Sequence, residues 1–143
     1  MFFFSCEDEE DICTGNATAD LIVGTWQKNS SFFYYPNGDL YYCYNCNSAN
    51  SLCLDADCVT FTYNCDWTAL SNENLDPQFV GGSWTWSYDP EEEMIMEMYS
   101  EGPLSSYITT LNSVHMVMET EIPMLINENL INILEISAFT RIN

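Results

Sequence analysis

Basic residues are almost missing from this sequence. Lys28 and Arg141 stand against 22 Asp and Glu, so 143 residues carry a formal net charge of -20. A surface of that sign repels nucleic-acid phosphates and anionic lipid, which excludes nucleic-acid binding. It keeps the chain soluble, attracts cations and suits a salty medium, where screening weakens self-repulsion. Histidine occurs once, at His115, so a multi-histidine zinc site is excluded. No run of about 20 apolar residues occurs, so no membrane-spanning helix is expected. The sequence also lacks a Gly-x-Ser-x-Gly elbow, a Walker loop and a Rossmann fingerprint. No set of nucleophile, base and acid converges, so the chain is expected not to be an enzyme and to need no cofactor.

Cysteine, in contrast, is abundant, with seven residues at Cys6, Cys13, Cys43, Cys46, Cys53, Cys58 and Cys65. Their meaning depends on compartment: metal in a reducing cytosol, disulfides in an exported protein. The N-terminus bears on the choice. Met1-Phe2-Phe3-Phe4-Ser5-Cys6, followed by the acidic run Glu7 to Asp11, resembles the end of a bacterial lipoprotein signal. The resemblance implies cleavage before Cys6 and a lipid on its sulfur, which would be the protein's one attachment to a membrane. The acidic stretch resembles the surface-export signal of Bacteroidetes lipoproteins. Only five residues precede Cys6, without basic and apolar leader regions, so the expectation includes a start upstream of Met1 or a clipped chain.

With Cys6 lipidated, Cys13, Cys43, Cys46, Cys53, Cys58 and Cys65 remain, an even number for three disulfides in any of 15 connectivities. Five of the six crowd between Cys43 and Cys65, among Asn45, Asn47, Ser48, Asn50 and Ser51, which reads as a stapled, loop-rich insertion. Cys43, Cys46, Cys53 and Cys58 also form a four-thiolate pattern for zinc, but export favours disulfides. Asp55 and Asp57, and Glu91 to Glu93, offer carboxylates, but neither run alone supplies the shaped oxygen cage of calcium. No metal is therefore expected.

The rest of the chain is apolar enough to fold: hydrophobic residues make up 47% and aromatics 15%. The length suits one domain. Residues 1–20 read as the truncated signal and an acidic tether, and residues 21–143 as the folded domain. Within it hydrophobicity alternates with period two, the mark of half-buried strands. Seven to nine strands are expected: Leu21 to Lys28, which Phe32 to Tyr35 extend or follow as a second strand, then segments at Leu40 to Tyr44, Val59 to Tyr63, Trp67 to Leu70, Gly82 to Tyr88, Met94 to Met98, Tyr107 to Leu111, Val114 to Glu119 and Leu130 to Arg141. Pro36-Asn37-Gly38-Asp39 and Asp89-Pro90-Glu91-Glu92 read as turns, and Ser71 to Gln78 as a polar loop. Ile122 to Ile136 also fits a short helix. The fold class is all-β, an antiparallel up-and-down meander closing into a barrel.

Gly24-Thr25-Trp26 matches the Gly-x-Trp opening of lipocalins. Val59-Thr60-Phe61-Thr62, Gly82-Ser83-Trp84, Ile108-Thr109-Thr110-Leu111 and Met116-Val117-Met118 follow in an order similar to the lipocalin-like domains of Bacteroidetes lipoproteins. The resemblance covers residues 21–141. It implies a lipocalin-like barrel closed at its base by a basic residue of the last strand over the opening Trp, here Arg141 over Trp26 beside Gly24. It departs from the family in the Cys43 to Cys65 segment.

Trp84, Trp86 and Tyr88, with Met94, Met96, Met98, Met116 and Met118, are expected on one apolar face. That face is either an ordinary core or the lining for a small hydrophobic ligand, held by burial of its carbon. The expected function is thus an exported cell-surface lipoprotein of the outer membrane, or a secreted one, that binds a small hydrophobic molecule. The alternative is a structural or interaction protein of the cell envelope with a filled barrel. Tyr34, Tyr35, Tyr41, Tyr42 and Tyr44 would then form a contact surface, including for self-association. His115 reads as an ordinary strand residue.

Overall fold

The computed structural model describes residues 13–47, 51–71, 83–99 and 102–142. Cys6, the signal-like residues around it, Gly82 and most of the loop from Ser71 to Gln78 lie outside them.

Asn16 is extended, and its side-chain oxygen accepts from the amides of Thr18 (2.9 Å) and Ala19 (3.0 Å). This N-cap starts helix α1 (Ala17–Ile22). The sequence reading assigned these residues to a tether and a strand. The cap, and the full burial of Ala19 and Ile22, favour one and a half turns of helix instead.

The remaining elements are strands: β1 (Gly24–Tyr34), β2 (Leu40–Asn45), β3 (Leu54–Asp55), β4 (Val59–Tyr63), β5 (Thr68–Ser71), β6 (Ser83–Asp89), β7 (Met94–Tyr99), β8 (Gly102–Leu111), β9 (His115–Ile126) and β10 (Asn129–Arg141). Residues 122–126 and 129–136, where a helix was the alternative, are strand. Each strand from β4 to β10 pairs antiparallel with the next, and β10 returns to β1. The result is a closed antiparallel barrel of eight strands.

The cysteine-rich segment explains why ten strands make an eight-stranded barrel. One edge of β1 is shared: Gly24 to Lys28 pair with β4, and Ser30 to Tyr34 pair with β2. β2 and β4 therefore lie end to end, as one wall strand interrupted by residues 46–58. Cys46–Cys58 clips the base of that excursion, and Cys43–Cys53 ties it back to β2. Cys13–Cys65 fastens the segment before α1 to the β4–β5 turn. The loops closed span 10, 12 and 52 residues. On a chain-entropy account the longest contributes about 4 kcal/mol and the shorter two about 3 kcal/mol each.

α1 lies across the base. Ala19 and Ile22 join Trp26, Tyr63, Trp84, Trp86, Ile95, Met116 and Phe139 in one apolar cluster. Trp26 is fully buried and donates its indole N–H to the carbonyl of Ile22 at 2.7 Å. Arg141 lies with its guanidinium carbon 4.4 Å from the centre of the Trp26 ring. Its Nη1 and Nε donate to the carbonyls of Val23 and Ser113, both at 2.8 Å, and Nη2 donates to Leu21. One planar cation thus joins the end of α1, the β8–β9 turn and the opening Trp, a fit that the point charge of Lys would not reproduce.

Candidate functional site

Three places bear on function: the barrel interior, a break in its wall, and the outer surface. The interior is layered. Next to the base it is aromatic and apolar: Phe61 meets Trp84 and Phe139 edge-on at 6.0 and 5.9 Å, and Trp86 lies against Tyr63 and Trp67 at 5.3 and 4.8 Å. Trp84, Trp86, Met116 and Met118 are all buried here.

Above this lies a polar layer. Lys28 Nζ is 2.9 Å from Glu135 Oε2. Ser31 and Ser137 donate to the same oxygen at 2.8 and 2.9 Å. Glu97, equally enclosed, accepts from the Trp84 indole N–H at 2.6 Å and the Tyr63 hydroxyl at 3.1 Å. The two carboxyls differ in character. Burial pushes both up, but at Glu135 the Lys28 ammonium and the serine hydroxyls outweigh it and leave the group below the ordinary carboxylate range. At Glu97 burial wins over the Trp84, Tyr63 and Tyr99 hydrogen bonds and the more distant Lys28, so its carboxyl stays raised. Burial would lower the Lys28 ammonium, but Glu135 and Tyr44 more than offset this and raise it. Burial, with the Glu97 charge, also pushes the Tyr63 and Tyr99 phenols up.

None of Lys28, Glu97, Glu135, Ser31 or Ser137 was singled out from sequence. Parity did not mark the two acids: Glu97 falls between Met96 and Met98, and Glu135 between Leu134 and Ile136, so on each strand the flanking apolar residues take the opposite face.

The expected single face of eight residues is divided. Trp84, Trp86, Met116 and Met118 point inward, and Tyr88 is half-buried. β7 presents the opposite parity: Ile95 and Glu97 face the interior, while Met96 and Met98 are 42% and 55% exposed on the outside and Met94 is half-buried. The reason is that Glu97 finds three donors, Trp84, Tyr63 and Tyr99, and a nearby cation inside, which a row of thioethers would leave unused. The tyrosines divide too. Tyr42 stacks on the buried Phe33 at 4.4 Å, and Lys28 lies 5.8 Å above the Tyr44 ring, so these two face inward; Tyr41 is exposed. His115 is exposed at the start of β9.

At the wall break, where β2 ends and β4 begins, a cavity of about 220 Å³ is lined by Lys28, Tyr44, Val59 and Phe61 from the barrel and by Cys46 and Asp57 from the insertion.

On the outside, the β9–β10 hairpin outruns its neighbours. β8 leaves β9 at Thr120, and β1 leaves β10 at Leu134. Asn127 and Glu128, with φ of 51° and 67°, turn the hairpin. Leu125 and Leu130 are each 74% exposed on it. Beside it runs an open groove of about 730 Å³ between the β1–β2 turn (Tyr34, Tyr35, Pro36) and β10 (Leu130, Leu134, Ile136).

Among the described residues no group of three or more His, Cys, Asp or Glu could hold a metal ion, and no helix is long and apolar enough to cross a membrane. No protein-family model matches the sequence, and no curated protein matches it.

Proposed function

We propose that this chain is an exported interaction protein of the cell envelope: a filled barrel, carried on a lipid anchor at Cys6, whose contact face is the upper part of β10 and the groove beside it. The observation that carries this reading is the pair Leu125 and Leu130, 74% exposed on a hairpin that outruns its neighbours. Below them the barrel axis is taken up by Trp84, Trp86, Phe139 and the Glu97 and Glu135 networks. Contiguous exposed apolar surface on a small domain accompanies partner binding. Three disulfides using all six described cysteines support an oxidising compartment. The closed eight-stranded barrel, and the Arg141 guanidinium over Trp26, support kinship with lipocalin-like domains.

The occupant is an extended segment of another protein, with Lys or Arg beside apolar residues. Pro123 stands opposite Asn132 and has no N–H, so this pair is not a hydrogen-bonded one and the Asn132 amide is directed to the outer edge of β10. Above Leu134 no described strand pairs with that edge. Added strands use such edges. Charge selects among them. Lys28 is paired with Glu135 and Arg141 lies on Trp26, while the chain carries -20, so a second copy is repelled and a basic segment is drawn in.

The test is a titration with a peptide of alternating Lys and Val, followed by amide NMR. Shifts confined to residues 34–38 and 129–136, weakened by salt and abolished by Asn132→Pro, support the reading. Shifts elsewhere, no shifts, or concentration-dependent dimers in sedimentation would overturn it. Cys6→Ser is expected to move the protein from the membrane to the soluble fraction. A small-ligand site is a second reading. The wall cavity favours it, but at about 220 Å³ it falls below the roughly 300–1,000 Å³ of typical ligand sites.

A further inference from the structure

The cavity in the barrel wall belongs to neither the packed core nor the proposed contact face. On β1, Ser30 pairs with the end of β2 and Lys28 with the start of β4, so the wall opens at Asn29 and the insertion bridges the gap from outside. The bridge is fixed in place. Cys46–Cys58 joins its two ends, the Cys46 amide donates to the Asn29 carbonyl at 3.0 Å, and the Ala56 amide donates to the Asn45 carbonyl at 2.9 Å. The space is therefore preformed, as sites for small molecules usually are.

Size, lining and charge narrow the occupant. A volume of about 220 Å³ falls short of a drug-sized site, but an apolar cavity of about 150 Å³ already takes up benzene, so one ring fits. Tyr44 and Phe61 contribute aromatic surface, and Val59 and Ala56 aliphatic surface. A flat ring gains stacked or edge-on contacts with the first two that an aliphatic molecule cannot make. The polar groups are few, and they oppose charge of either sign. A cation would lie beside Lys28 and an anion beside Asp57, on a chain of -20, and each would give up hydration on entry. A neutral ring does not meet that cost, and a single hydroxyl on it suits an amide or carboxylate in the lining.

We infer that the wall cavity binds one neutral, single-ring aromatic molecule of the phenol class, its ring against Tyr44 and Phe61 and its hydroxyl at Asn29 or Asp57. Few convergent polar groups in an otherwise apolar, aromatic-lined hollow are the usual make-up of such a site. The site is separate from the docking groove beside β10, since no residue lines both. Either reading can therefore fail while the other stands.

The experiment uses the full chain with its disulfides intact and p-cresol as the probe, followed by amide and methyl NMR. Saturable binding with a Kd at or below about 1 mM is expected. The shifts should centre on Tyr44, Ala56, Val59 and Phe61 and leave residues 125–132 in place. 4-Methylbenzoate and 4-methylbenzylamine carry a similar ring with a charge of either sign, and each should bind at least about tenfold more weakly. That comparison needs no variant. Ala56→Trp, at an exposed position in the lining, should fill the cavity and weaken p-cresol about tenfold or more, with circular dichroism checking that the barrel is intact. Leu130→Ser, on the docking face, should leave binding unchanged. Absence of saturation, shifts centred on β10, equal affinity for either charged analogue, or unaltered binding by a folded Ala56→Trp would each overturn the site.

Discussion

Lys28 and Glu135 show what a charge inside a small barrel requires. Their side chains keep 18% and 11% of their exposure, and they meet at 2.9 Å with Ser31 and Ser137 completing the carboxylate. Removing one member of such a pair leaves the other enclosed without a counter-ion, a loss of about 3–5 kcal/mol when burial is complete. The residual exposure places this pair at the lower end. Glu135→Leu is therefore expected to destabilise by about 3 kcal/mol in urea unfolding. Lys28→Met should cost at least as much, because it also removes the cation that tempers Glu97. The double variant Lys28→Met/Glu135→Leu is expected within about 1 kcal/mol of the parent, or above it, since two apolar side chains replace a desolvated pair. A double variant as unstable as the sum of the two singles would show that packing around these positions, not the charge, sets the loss.

At the scale of elements, the β9–β10 hairpin turns on Asn127 and Glu128, both left-handed, as a two-residue turn between twisted strands demands. Asn tolerates that conformation and Glu does not. Glu128→Gly should therefore raise stability by about 1 kcal/mol, measured as a shift in denaturation midpoint at unchanged m-value. A loss would mean that Glu128 makes a contact outweighing its backbone strain. This hairpin also shows how far the sequence could be read. Alternation marked β6, β7, β9 and β10, and the Asn37-Gly38 turn was plain, so the meander and its closure followed. The apolar spacing of residues 122–136 fitted a helix as well, and only the pairing of β9 with β10 resolves it. α1 was hidden because six residues are too few for a period to emerge. The collinearity of β2 and β4 was hidden because it depends on which edge of β1 each half meets. On β7 the row of three methionines was the more apolar parity. Burial nevertheless went to Ile95 and Glu97, since the partners of Glu97, Trp84 and Tyr63, lie far off in sequence.

For the molecule as a whole, the dominant fact is a charge of -20 wrapped around an interior that keeps its own cation. Three contributions to stability move with pH in different directions. Glu135 has a lowered carboxyl, so its contribution is complete above the ordinary carboxylate range and is lost as pH falls through the lowered value. Lys28 is raised, so its share is complete at neutrality and is lost only as pH rises through that raised value. Glu97 is raised from an ordinary 4.5, so its contribution is complete below that point and is lost as pH climbs through the raised value. Surface repulsion acts in the same sense as Glu97, since ionised acids repel at neutrality and less in acid. Stability should therefore peak in mild acid, with a urea midpoint higher at about pH 5 than at about pH 8. Salt separates the two causes of that fall. At about 0.5 M NaCl exposed charges are screened beyond roughly 4 Å, whereas enclosed Glu97 is screened much less. Glu97→Gln keeps an acceptor for Trp84 and Tyr63 without a charge to enclose. In high salt the parent should retain part of the fall and Glu97→Gln should lose it; identical slopes in both proteins would assign the whole effect to the surface.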